Sequence, residues 1–246
     1  MSGPGTTPAA DAEDGGALAG IRVFERRAPR SAGLAGIVFS VLFVLSLLLV
    51  SARPPEGLDE YAFVEWFQAQ GLTLVTIATL YLAPFAGIAF LWFIGVIRSR
   101  IGKGEDQFFA TVFLGSGVLF VGMYWAAAAV LASLVAGNRY DAAPPLSAAR
   151  LEEVRSMGFS FLFVLAARAA SVFMLVTCTI ARRTGIFPRS LTLAGYAIAL
   201  VMLLSLSFLQ WVVLLFPAWV CVASGYILVA ERATSSPGTG GRGRPE

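Results

Sequence analysis

From Ser190 to Ala230 the chain runs for 41 residues without a charged side chain. Wound as one α-helix at 1.5 Å per residue, that run would measure about 61 Å, twice the ~30 Å hydrocarbon thickness of a bilayer. It therefore has to fold back. Its most polar point, Ser205-Leu-Ser207-Phe-Leu-Gln210-Trp211, is where the turn belongs. Two spans over about 190–208 and 211–230 follow.

Four more apolar runs, about 34–51, 72–97, 108–136 and 157–181, are each long enough to cross a bilayer. In lipid every backbone amide needs an internal partner, so apolar runs of this length are helices. The expectation is an all-α integral membrane protein, a six-transmembrane-helix bundle over 33–231. Only 13% of residues are charged, about half the share in a soluble domain, which agrees. Residues 1–32 and 232–246 are rich in Gly, Pro, Ser, Thr and charge, and are expected to be disordered tails. Val50-Ser51-Ala52 resembles a signal-peptidase site. The long leader and the length of the apolar run favour a retained anchor.

Two connections carry paired prolines, Pro54-Pro55 and Pro144-Pro145, each followed by a short stretch of mixed charge. Asp59, Glu60 and Glu65 alternate with aromatics in the first; Ser147 is a plausible N-cap for a helix through Arg155 in the second. Both read as short outer interfacial helices. Lysine and arginine number four before the first span, three between spans two and three, three between four and five, and three in the last tail. The other connections hold one, three and none. The positive-inside rule then puts the N- and C-termini in the cytoplasm, with the spans in a bacterial inner membrane.

Several chemistries are excluded by what is missing. The chain has no histidine, which removes histidine-ligated haem, histidine zinc sites, Ser-His catalysis and histidine proton relays. Cys178 and Cys221 lie inside apolar runs with no C-x-x-C spacing and read as buried free thiols. No Asp or Glu falls within a span, so paired-carboxylate proteolysis and carboxylate-driven proton coupling have no residues to work with. Gly115-Ser-Gly117 lacks the preceding strand and following lysine of a phosphate loop. With Gly122, Ala128, Ala132 and Ala136 it reads as a helix-packing face. No enzyme, cofactor or metal is expected, and the Gly-Gly-Arg242-Gly-Arg244 tail reads as solvated rather than nucleic-acid-binding.

One charge does sit inside a span. Arg168 lies about 11 residues from the outer end of span four and 13 from the inner end, flanked by Ala166, Ala167, Ala169, Ala170 and Ser171. An arginine at mid-span costs ~2.5–3.5 kcal/mol on insertion scales, and it keeps its proton. It is therefore expected to face the bundle interior or a wet cavity. Candidate neighbours at similar depth are Tyr81 on span two, Tyr124 on span three and the Leu80 carbonyl, which Pro84 deprives of its usual donor. Three readings stand open. Arg168 locks spans two, three and four structurally; or it awaits an anionic group such as a lipid phosphate, a carboxylate or a small solute; or it reaches Glu60 or Glu65 in an outer segment that dips inward.

The block Tyr81-Leu-Ala-Pro84-Phe-Ala-Gly-Ile-Ala-Phe-Leu-Trp92-Phe-Ile-Gly-Val-Ile-Arg98, with Asp106-Gln-Phe-Phe-Ala-Thr-Val-Phe-Leu-Gly115-Ser-Gly117, resembles a group of uncharacterised actinobacterial polytopic membrane proteins. The likeness covers chiefly spans two and three. It implies a bacterial inner-membrane setting and carries no catalytic motif. The functional expectation is a non-enzymatic membrane protein in assembly or in binding lipid or a partner, as a homo-oligomer or with another membrane protein. The alternative is a transporter or pathway for a small anionic solute that uses Arg168.

Overall fold

The computed structural model describes residues 33–53, 57, 59–101, 107–139, 146–205 and 210–234. The expected N-terminal tail, both proline pairs and most of the C-terminal tail lie outside the described residues. Within them the chain is helical and contains no strand. The elements are α1 (Gly33–Val50), α2 (Glu60–Arg98, its last turn reaching Ile101), α3 (Gln107–Arg139), α4 (Ala148–Thr184), α5 (Arg189–Leu204) and α6 (Leu215–Thr234). A 3₁₀ turn, Gln210–Leu214, leads into α6.

Five helices are long and apolar enough to cross a membrane, and α5 is a shorter apolar helix. With 16 residues α5 spans about 24 Å, less than a full hydrocarbon core. Its end at Leu204 brings the turn four residues earlier than the expected boundary at 208. The extended backbone of Ser205 begins that turn within the polar stretch singled out above. At the other end of the chain, α6 continues to Thr234 rather than stopping at 230.

The two outer helices require a correction. Both are present, and both are capped at their first turn. Asp59 Oδ1 accepts from the Ala62 amide at 2.8 Å, and Ser147 Oγ accepts from the Arg150 amide at 3.3 Å. Neither is a separate interfacial element: each runs without a break into the span that follows, giving helices of 39 and 37 residues. No proline interrupts the junctions, and the helices continue through π-helical turns, Phe67–Gly71 and Ile77–Leu82 in α2 and Ser160–Ala166 in α4. The projecting ends close over a small apolar cluster in which Val50, Phe67, Leu131, Leu134 and Leu151 are buried.

Between apolar helices in lipid there is no hydrophobic driving force, so packing shape and ring contacts decide the arrangement. Here phenylalanine fills the axis. Phe39 and Phe43 come from α1, Phe90 and Phe93 from α2, Phe113 and Phe120 from α3, Phe173 from α4 and Phe216 from α6, all fully buried. Phe90 is the hub, with ring centroids 4.6 Å from Phe39, 5.0 Å from Phe120, 5.1 Å from Phe173 and 5.6 Å from Phe216. Tilted and edge-on contacts of this kind suit the ring quadrupole. The periphery is apolar too: Leu34, Val38, Val41, Leu45 and Leu48 form an exposed stripe on α1. A stripe of that extent suits a lipid surround far better than water.

The expected packing face on α3 is only partly used. A methyl group at Gly117 would collide with Ile94 and press on Phe173, so close approach is real there. Gly115 and Gly122 have open space where a side chain would go. At the end where α1 begins, Arg98, Arg182, Arg183 and Arg189 are exposed; the other end mixes Asp59, Glu60, Glu65, Glu152 and Glu153 with Arg53, Arg150 and Arg155.

Candidate functional site

Arg168 lies two residues past the end of the π-helical turn Ser160–Ala166 in α4. Helical side chains lean toward the N-terminus, so its guanidinium reaches back one turn. Nη1 donates to the Val164 carbonyl at 3.0 Å, and Nη2 donates to the Ser205 carbonyl at 3.4 Å. The second bond crosses to the end of α5. A helix leaves its last four carbonyls unpartnered, and its macrodipole is negative at that end. Arg168 is thus a cap on a neighbouring helix, supplied by a partly buried cation.

The geometry follows from the α4–α5 hairpin. Gly185, at φ 71°, ends α4 in the left-handed conformation, and its amide donates to the Ala181 carbonyl at 2.9 Å. Pro188 then precedes α5 in extended backbone. The two helices pack antiparallel from that turn, and the shortness of α5 leaves its final carbonyl level with Arg168. The Thr179 and Tyr196 hydroxyls, 2.8 Å apart, tie the same pair of helices nearer the turn.

The expected neighbours of Arg168 are elsewhere, which corrects the expectation that it locks spans two, three and four. Tyr81 is 60% exposed on the outer surface of α2. Tyr124 is buried on the inner side of α3, its ring 5.0 Å from Phe43 and 6.2 Å from Phe120. Pro84 lines a groove between α2 and α3. None of the three is a hydrogen-bond partner of Arg168 among the described residues, whose bonds stay within α4 and α5. The displacement has one cause: an all-apolar helix gives no sign in its sequence of which way each residue is rotated.

The groove was not foreseen. It has a volume of about 380 Å³ and is lined by Thr79, Leu80, Pro84, Ile88, Trp125 and the small residues Ala128, Ala129 and Ala132. Trp125 Nε1 donates to the Ala83 carbonyl at 3.1 Å, so an indole supplies a donor beside the proline. Its ring lies directly over Gly87, where a methyl group would collide with it. The sequence signals were Gly87 three residues after Pro84, and alanines recurring every three or four positions on α3. They mark close helix approach without saying which residue fills it.

The fold and this arrangement define a polytopic α-helical protein built for an apolar surround, with one arginine capping a short helix. Compared with known proteins, the chain matches no family model, no curated protein and no solved structure.

Proposed function

We propose that the chain is a non-enzymatic integral protein of the bacterial inner membrane that works by binding lipid or another membrane protein sideways, in the plane of the bilayer. The observation that carries this is the contrast between axis and flank. Eight phenylalanine rings from five helices fill the axis, whereas the groove of about 380 Å³ beside Pro84 opens on the flank of α2 and α3. A flank lined by small residues accepts an acyl chain or a helix. The resemblance of this same region to actinobacterial membrane proteins supports the setting. The arginines at the end where α1 begins support a cytoplasmic position for that end and for both termini.

Native mass spectrometry of protein released from its own membrane, with lipid and partner identification, tests the reading. The comparison is with Ala129→Leu and Ala132→Leu, which fill the groove from its exposed side. Wild type is expected to retain a defined lipid class or partner that both variants lose at unchanged melting temperature. If wild type carries only bulk lipid in bulk proportion and no partner, lateral binding is wrong.

A second reading, passage of a small anion, draws on Arg168. Its hydrogen bonds go to neutral carbonyls, so no carboxylate among those partners cancels its charge. Anion flux in liposomes should then fall on Arg168→Met. Flux no greater than in protein-free liposomes removes this reading.

A further inference from the structure

We infer that the space between Ser46, Thr79 and Tyr124 is a binding site for a single water molecule that joins α1, α2 and α3. The inference stands on three hydroxyl groups and is independent of lateral binding at the groove.

Tyr124 is 4% exposed, and its hydroxyl has no hydrogen-bond partner among the described residues. Burying a phenol in that condition is costly, and native structures nearly always satisfy such a group. Tyr124 lines a cavity of about 20 Å³, whose walls also include Phe43, Ser46, Thr79, Leu131 and Leu162. One water needs roughly 10–15 Å³ of such space, so there is room for one and no more.

Donor and acceptor accounting identifies the occupant. The Ser46 hydroxyl proton is committed to the Ala78 carbonyl at 3.2 Å, and that of Thr79 to the Val75 carbonyl at 2.7 Å. Both oxygens therefore have only lone pairs left to offer. Tyr124 has a proton to give. A water accepts that proton and donates its own two to Ser46 Oγ and Thr79 Oγ1, making the three bonds usual for a buried water. An apolar molecule would leave the phenol unsatisfied, and a larger polar one would not fit. Thr79 and Ala128 wall both this cavity and the lateral groove, so a water has only their thickness to cross on entry.

The test is a crystal structure of the full chain from a lipidic phase, at a resolution that shows ordered water, beside melting temperatures of Tyr124→Phe, Thr79→Val and the double variant. The expected density is an isolated peak within hydrogen-bond distance of all three oxygens. Tyr124 bonded directly to Ser46 with the cavity closed overturns the inference; so does density continuing into the groove, which would be a lipid hydroxyl. Each single variant should melt about 2–4 °C below wild type. Because the two residues share one water, the double variant should lose less than the sum. Strict additivity overturns the shared site.

Discussion

Arg168 Nη2 donates to the Ser205 carbonyl oxygen at 3.4 Å, joining the middle of α4 to the end of α5. The register is set by the hairpin: Arg168 stands sixteen residues before Thr184, where α4 ends, and Ser205 sixteen after Arg189, where α5 begins. A short helix and a partly buried cation thus satisfy each other. The guanidinium costs ~2.5–3.5 kcal/mol to insert, and charge-assisted bonds of ~1.5–3 kcal/mol each offset it.

That balance gives an unequal pair of variants. Arg168→Met removes the cap and the insertion cost together, and should change stability by about 1 kcal/mol or less. Arg168→Lys keeps a charge on a point donor that lacks the guanidinium's two-nitrogen reach, and should be the less stable of the two. Chemical unfolding in one detergent compares them. A methionine variant well below the lysine variant would contradict the capping role.

Gly185 holds φ 71° at the turn on which the register depends. Gly185→Ala meets no neighbour there, so its cost is backbone conformation alone, about 1 kcal/mol. Hydrogen exchange should quicken at the Ser205 amide, which donates to the Val201 carbonyl at 2.8 Å, because a loosened hairpin releases the far end of α5. Unchanged exchange would separate the turn from the cap.

Gly87 and Trp125 should behave as a coupled pair. Gly87→Ala forces the indole aside and is expected to cost about 1–3 kcal/mol. Trp125→Phe loses the bond to the Ala83 carbonyl, about 1 kcal/mol. The double variant should cost less than the sum, since the smaller ring makes room for the methyl group. Additive losses would refute the contact.

Position relative to the axis should decide what a phenylalanine is worth. Phe90→Ala empties the hub and should cost about 3–5 kcal/mol. Phe85→Ala, one and a half turns away at 61% exposure, should stay within about 0.5 kcal/mol. Thermal melting of both in one lipid composition checks this, and equal losses would mean that the aromatic axis does not hold the bundle.

Much of this was readable beforehand. The apolar runs gave the helices, the uncharged run beyond Ser190 required a turn near Ser205, and Ser147 announced its cap.

Helix formation and span length are local properties, decided by backbone hydrogen bonding and by apolar length against bilayer thickness, so the sequence by itself determined them. Rotation of each helix about its axis is another matter. In water an amphipathic stripe records it, but these helices are apolar on both their core and lipid sides. Only the fit of side chains between helices sent Tyr81 to the outer surface and Tyr124 inward, put Trp125 over Gly87, and brought Ser205 to Arg168. The tertiary structure decided those relationships, because packing shape distinguishes faces that polarity leaves alike.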